Sequence, residues 1–386
     1  MKKSPTLDLS ETNIAGLGTE LEKKVRLEAA QTEKAWEGAG KKPGLKVWRI
    51  EQFKIVPWPE SEYGKFHTGD SYIVLNTYKP PNSDALRHDI HFWLGLETTQ
   101  DEAGTAAYKT VELDDYLGTT PVQHREIQGF ESLLFLSYFK VFQILEGGTE
   151  TGFRHVEINA QSFQPRLLHI YSIPPTAPRL PKTRPIHTLL VKQVPLSVDS
   201  LNSGDVFVLD LGKEILQWNG SKASGVERNK AAEYVRKLDD ERKNAKVSVF
   251  DETDADVNTF YGHLGGKTGP IASAAEGDGR TASSSGISSF EKLLFRLSNA
   301  SGPLEFTQEA KGSVNKSQLK PDDVFVFDCG PEVFVWVGKG ADKEERRRSM
   351  QFALEYIKKY ERPATLPVTR LMEGSENQLF WDAFDA

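Results

Sequence analysis

Three stretches of this 386-residue chain repeat one another, and that repetition limits the possible folds more than any bulk property does. Gly69-Asp70 leads into SYIVL, Gly204-Asp205 into VFVLDLG, and Asp322-Asp323 into VFVFDCG, each reading as a strand headed by a carboxylate. A second strand follows and ends on Trp93, Trp218 or Trp336. Nine residues past each tryptophan stands a glutamate, Glu102, Glu227 or Glu345. The Asp-to-Trp spacing is 13 residues in repeats two and three and 23 in repeat one. The surplus falls in the turn-rich KPPNSDALRH stretch, so repeat one carries a longer hairpin loop. Helical patterns follow the glutamates, predicted over Thr105–Leu117, Arg228–Leu238 and Glu345–Tyr360.

The rest of the chain is arm and linker. Gly18 to Gly38 is rich in Ala, Glu, Lys and Leu, a composition for an exposed helix that Gly38, Gly40 and Pro43 stop. We expect a helical N-terminal arm over 1–45, a first module over 46–160 and a linker over 161–185, whose Ser172–Pro185 is proline-rich and extended. A second module covers 186–265, a flexible Gly/Ala/Ser linker 266–287 and a third module 288–386. Each module is a central mixed β-sheet flanked by helices, so the fold class is α/β of the α+β kind. The 48 basic and 55 acidic residues leave a net charge of −7 and offer no basic face to nucleic acid. Cys329 is the lone cysteine, so no disulfide forms within the chain. No apolar stretch backs the N-terminal lysines, and the most apolar run, Leu133 to Leu145, contains Lys140 and is too short to span a bilayer. A cytoplasmic setting is expected.

The recurring carboxylate pair carries the chemistry. Asp and Glu lie 22 residues apart in repeats two and three and 32 in repeat one, the same once the loop is subtracted. Facing carboxylates suit general acid–base catalysis, but one chain has little use for three copies of a catalytic pair. They also fit a turn before a strand and a helix start favoured by the macrodipole. The threefold register favours calcium, a hard cation that takes carboxylate and carbonyl oxygens, and Gly69 and Gly204 let the backbone aim a carbonyl. The sequence has no P-loop, HExxH, EF-hand loop or Gly-x-Ser-x-Gly turn, and its eight histidines do not cluster at metal spacing. No enzyme is expected. Phe130–Lys140 (FESLLFLSYFK) is a further candidate, since Phe130, Leu133, Leu134, Phe135, Leu136, Tyr138 and Phe139 would cover nearly the whole circumference of a helix. Such a helix is buried by its own domain alone or by domain and partner together.

From residue 46 to the end, these modules resemble gelsolin-homology domains, and three of them behind an arm resemble the severin and fragmin group. The strings Gln123-His-Arg-Glu-Ile-Gln-Gly-Phe-Glu131, Leu201-Asn-Ser-Gly-Asp205 and Lys343-Glu-Glu-Arg346 carry the likeness. The resemblance implies calcium held by the Gly69 carbonyl, Asp70, Glu102 and the Thr149 carbonyl in module one. It implies Gly204, Asp205, Glu227 and Asp278 in module two, and Asp322, Asp323 and Glu345 in module three. Asp114 would hold a calcium shared with actin. It further implies an actin surface of Gln123, Phe130, Leu133, Leu134, Phe135 and Tyr138, with Arg166 and His169 touching the filament side. The implied function is calcium-activated severing of actin filaments and capping, with nucleation a further option, at the barbed end, in the cytoplasm and cytoskeleton. The implied partners are the actin monomer and the filament end. Capping without severing, and a calcium-dependent scaffold for a non-actin partner, are the alternatives. The basic strings that relatives turn toward phosphoinositides shrink here to Arg166, His169, Arg179, Lys182 and Arg184, a weak case for that partner.

Overall fold

The computed structural model describes residues 28–80, 83–118, 121–148, 163–173, 188–243, 245–267, 269–273, 290–300 and 304–385. In the first module β1 (Gly44–Glu51), β2 (Lys54–Pro57), β4 (Ser71–Tyr78), β5 (Arg87–Leu94) and β6 (Val122–Ile127) lie in the order β6-β5-β4-β1-β2, with β3 (Lys65–His67) set apart. Side chains alternate across β4. Ile73 and Leu75 pack under helix α1 (Gln100–Tyr116) with Ala103, Ala106 and Leu113, while Tyr72 and Val74 join Phe66, Trp93, Phe135 and Phe142 on the other face. Both faces are covered, which is why SYIVL is a continuous apolar run and not an alternating one. Helix α2 (Leu133–Ser137) and β7 (Val141–Leu145) complete the module.

The second module contains β8 (Arg166–Ile173), β9 (Thr188–Val194), β10 (Val206–Asp210), β11 (Glu214–Asn219), helix α3 (Gly225–Arg242), β12 (Lys246–Asp251) and helix α4 (Asn258–Gly262). The third contains β13 (Leu293–Ser298), β14 (Glu305–Lys311), β15 (Val324–Asp328), β16 (Val333–Val337), helix α5 (Lys343–Lys359), β17 (Val368–Met372) and helix α6 (Gln378–Asp385). One unit recurs: an antiparallel pair, a long helix, then a strand parallel to the second of the pair. It is β4-β5-α1-β6, β10-β11-α3-β12 and β15-β16-α5-β17.

The sheets do not respect the modules. β17 pairs antiparallel with β6 (Val368↔Arg125, Thr369↔His124, Arg370↔Gln123) and fuses modules one and three into a ten-stranded sheet. β7 pairs parallel with β9 and with β3, giving a seven-stranded sheet, β12-β11-β10-β8-β9-β7-β3, that joins modules one and two. Two sheets stand where three were expected.

Other expectations need correction. Residues 166–173 are no linker: β8 is an interior strand, paired with β10 and β9, because Leu167, Leu168 and Ile170 are wholly buried. Residues 174–187, with most of the proline-rich stretch, lie outside the described residues. Of the arm, residues 28–32 are helical and Lys34–Trp36 forms a 3₁₀ turn that is docked, not exposed. Trp36 is fully buried against Trp48 at 4.9 Å between ring centroids, and its Nε1 donates to Glu112 Oε1 at 2.8 Å. Lys109 then bridges Glu33 and Glu112 at 3.0 and 2.9 Å. Among the described residues no helix is long and apolar enough to cross a membrane.

Candidate functional site

One backbone device builds the same niche three times. Two residues after each tryptophan stands a glycine, Gly95, Gly220 or Gly338, whose N–H donates to the carbonyl of Asp70, Asp205 or Asp323 at 3.0, 2.9 and 3.0 Å. A Cβ at these glycines would lie 2.2, 2.4 and 2.1 Å from the carbonyl oxygens of Thr68, Ser203 and Pro321, so no larger residue fits. Those same carbonyls accept from Glu97, Lys222 and Gly340 N–H, each at 2.8 Å. The chain leaving the second strand is thereby stapled to the head of the first. It then enters the helix whose first turn carries the glutamate: Thr99 caps α1 by accepting from Glu102 N–H, and Ser224 caps α3 by accepting from Glu227 N–H. Trp-x-Gly in all three repeats was the sequence signal for this staple.

In module one Asp70 is fully buried and Glu102 nearly so. Ser71 Oγ meets Thr98 Oγ1 at 2.8 Å, and Thr98 Oγ1 donates to Glu102 Oε2 at 3.3 Å, tying the residue after Asp70 to the helix glutamate. Gly69 N–H donates to Gly147 O at 2.7 Å, and a Cβ at Gly148 would sit 2.7 Å from Asp70 Oδ1. The strand end leading to Thr149 therefore passes directly over Asp70, although Thr149 itself lies outside the described residues. Tyr72 Oη donates to Asp70 Oδ2 at 3.0 Å, and the Arg49 guanidinium stands 3.5 Å away.

In module two Asn202 Oδ1 accepts from Gly204 N–H at 2.8 Å, and its Nδ2 donates to Asp205 Oδ2 at 2.9 Å. His169 Nε2 lies 2.7 Å from the same oxygen. Burial pushes the Asp205 carboxyl up, but the hydrogen bond and charge of His169 and the Asn202 amide outweigh it and hold the group below the usual carboxylate range. Glu227 closes a capping box with Ser224, accepting from its N–H at 3.1 Å and its hydroxyl at 2.8 Å. Asp278 lies outside the described residues.

In module three Glu345 is buried and accepts from Asn299 N–H at 2.8 Å and Asp342 N–H at 3.1 Å. Burial raises its carboxyl, those two N–H groups lower it, and the charges of Asp323 and Asp342 raise it again, with a net upward shift. A cation would relieve that repulsion. A Cβ at Gly340 would lie 2.4 Å from Asp322 Oδ1, which places Asp322 on the same turn. The donors in all three niches are carboxylates and carbonyls, the oxygen set that a hard cation takes.

Asp114 sits apart from the niches, buried near the end of α1. Its charge reaches Arg370 of β17 in the third module, whose guanidinium bonds Ser349 Oγ at 3.3 Å. Burial lowers the Arg370 guanidinium, while the charges of Asp114 and Asp115 oppose that shift. Sequence reading missed Arg370, because nothing in a single strand announces its neighbour across a joint.

The residues expected to meet a partner are not gathered on one surface. Phe130–Lys140 is not a surface helix: α2 spans five residues, and Phe135, Leu136 and Phe139 are in the core with Phe66 and Phe142. Part of this apolarity, that of Phe135, Leu136 and Phe139, is spent on the chain's own core. Tyr138 is half-buried and hydrogen-bonds His91, Leu134 is half-buried, Phe130 is exposed, and the Leu133 side chain lies outside what is described. Gln123 is buried in β6 beneath β17. Arg166 is tied to Asp210 at 3.0 Å, and His169 belongs to the Asp205 niche.

Comparison with known proteins agrees with the threefold unit. The family description "Gelsolin repeat" matches residues 52–136, 187–255 and 305–381. "Gelsolin-like protein 1" of Lumbricus terrestris is 43% identical over 341 residues, covering 88% of this chain and 86% of that one. "Severin" of Echinococcus granulosus is 37% identical over 390 residues and 98% of both chains. "Actin depolymerising venom protein gelsolin 1" of Platymeris rhadamanthus is 39% identical over 90% of each.

Proposed function

The chain belongs to the gelsolin family, and from that premise we propose that it severs actin filaments and caps their barbed ends under calcium control. The observation that carries the calcium reading is the niche built three times from the same glycine staple, strand-head carboxylate and helix glutamate. Asp70 and Glu102 with the Gly69 and Thr149 carbonyls would hold one ion, and Asp205, Glu227, the Gly204 carbonyl and Asp278 a second. Asp322, Asp323 and Glu345 would hold a third, and Asp114 one shared with actin. Bound calcium supplies positive charge that offsets the carboxylates of each niche.

The protein's own residues supply the control. β17 pairs edge to edge with β6 at Gln123, and the charge of Asp114 acts on Arg370, so the third module occupies part of the actin surface expected of the first. We place that surface on α1 and β6, not on α2, whose apolar residues are spent on the core. Three further bonds hold the joint: Arg87 to Gly374 O at 3.0 Å, Arg125 to Ala364 O at 3.2 Å and His124 to Thr369 at 2.8 Å. Parting β6 from β17 opens the surface, a shift between two arrangements with no covalent chemistry. Capping without severing is the second reading. It is favoured by Arg166, whose ion pair with Asp210 leaves β8 poorly equipped to hold a filament side. Microscopy of surface-attached labelled filaments decides. Internal breaks in calcium and none in chelator support severing, growth arrest without breaks supports capping alone, and no effect on filaments refutes both.

A further inference from the structure

Four strands end the two sheets, and three of them are protected against further pairing. β2 is four residues long and stops at Pro57, and β3 has only three residues. β14 is bulged opposite Leu294 and Phe295 and carries Glu305, Glu309 and Lys311 along its length. β12 has no such device. Val247 and Val249 stand on one face of it, 41% and 55% exposed. Its backbone is open at the same place. Lys246 N–H donates to Lys213 O and Glu252 N–H to Asn219 O, so the even-numbered residues of β12 bond β11 and the odd-numbered ones turn N–H and C=O outward. At both ends the outward N–H is already taken: Ala245 donates to Asp239 Oδ1 at 2.9 Å and Asp251 to Asp254 Oδ2 at 2.7 Å. Between these stops Val247 and Val249 face outward with no strand beside them among the described residues.

The chain itself shows what such an edge pairs with. β6, β12 and β17 are the same strand of the three repeats, each parallel to the strand that carries the tryptophan. Trp93 pairs with Glu126, Trp218 with Phe250 and Trp336 with Leu371. Two residues before those partners lie His124, Ser248 and Thr369, which are therefore equivalent positions. β6 and β17 meet antiparallel with Thr369 opposite His124 and one further pair on either side. That ladder is centred on a pseudo-twofold axis through equivalent residues, and only β12 lacks a mate of its own kind.

We propose that β12 is a self-association edge: two copies of this chain pair antiparallel through β12 about Ser248, joining two seven-stranded sheets into one.

The details of the edge fit a copy of itself. The stops at Ala245 and Asp251 stand equally far from Ser248, so the opening is symmetric about that residue. The axis sets Val247 of each copy opposite Val249 of the other, and these are the residues whose N–H and C=O point outward, so each pair exchanges bonds in both directions. The valines of both copies close into one apolar patch. Each Lys246 falls opposite Phe250 and one residue from Asp251 of the other copy, a pairing of opposite charges.

Sedimentation of the full chain tests this. Between about 1 μM and about 100 μM, where weak interfaces assemble, the wild-type mass should rise from 43.2 kDa toward twice that value. Val249→Lys alters an exposed side chain, so its circular dichroism should be unchanged while association weakens by about tenfold or more. Cross-linking in a Cys329→Ser background reads the register. Ser248→Cys sets two thiols across the axis with Cα atoms about 4.5 Å apart, within disulfide reach, whereas Val247→Cys sets them about 7–8 Å apart on the diagonal, beyond it. Mild oxidation should link the first into dimers and leave the second unlinked. Wild-type protein that stays at 43.2 kDa throughout the range overturns the proposal. So does a dimer indifferent to Val249→Lys, or one that links faster through position 247 than through 248.

Discussion

Alanine at Gly220 tests whether the glycine staple holds a niche together. Its Cβ would lie 2.4 Å from Ser203 O, 2.5 Å from Ser203 C and 2.9 Å from Asp205 O, where ordinary contact begins at 3.4 Å. The worst overlap is 1.0 Å, between backbone groups that cannot turn away as a side chain would. Two hydrogen bonds must lengthen, Gly220 to Asp205 at 2.9 Å and Lys222 to Ser203 at 2.8 Å. Each contributes about 1 kcal/mol net, and overpacking adds about 1–3 kcal/mol, so the second module should lose about 3–5 kcal/mol. Gly225, five residues on at the first position of α3, has nothing within 4 Å of its would-be Cβ. Alanine there should stabilise by up to about 1 kcal/mol. Urea titration followed through exchange of the β10–β11 amides should move the two variants in opposite directions. Calcium calorimetry should count one site fewer for Gly220→Ala and the full number for Gly225→Ala. A Gly220→Ala protein of wild-type stability with every site intact would refute the reasoning.

Trp36→Ala removes a fully buried indole and the donor to Glu112, at a cost of about 3–5 kcal/mol. It should expose residues 28–43 to limited proteolysis while the β10–β11 amides stay protected. Phe135→Ala should lower stability to chemical denaturant by about 3–5 kcal/mol, with actin binding lost only as the fold is lost. A stable Phe135→Ala protein blind to actin would restore the partner-helix assignment. Arg370→Gln removes the cation facing Asp114 and Asp115 and should weaken the closed joint. The calcium needed for half-maximal filament loss in a pyrene-actin dilution assay should then fall by roughly tenfold, about 1.4 kcal/mol. An unchanged calcium requirement would detach Arg370 from control of the joint.

The repeating unit was legible because its signals are local. A carboxylate before an apolar run, a tryptophan closing the next strand and a glutamate in a helix's first turn are all short-range patterns. The helices began earlier than their apolar periodicity suggested, at Gln100, Gly225 and Lys343, because the cap residues Thr99 and Ser224 act on polar first turns. What crosses between modules was not legible. β17 is as apolar as an edge strand covered by a helix, and only pairing with β6, more than 240 positions away, makes it interior. The same limit applies to Phe130–Lys140, where the helix is only five residues long. Apolar residues on every side say that a segment is buried and do not say by whom.

Module one lends strands to both sheets, and no strand of module two pairs with module three among the described residues. The two seams differ as mechanical fasteners. β6–β17 closes over three register pairs, whereas β7–β9 closes over four, with Leu190 of β9 sunk in the aromatic cluster of Phe66, Phe135 and Phe142. Under a pull along the chain the shorter seam is the weak link. Modules one and two would then stay joined while the third comes away, so a mechanical load could uncover the surface beneath the third module without parting the other two.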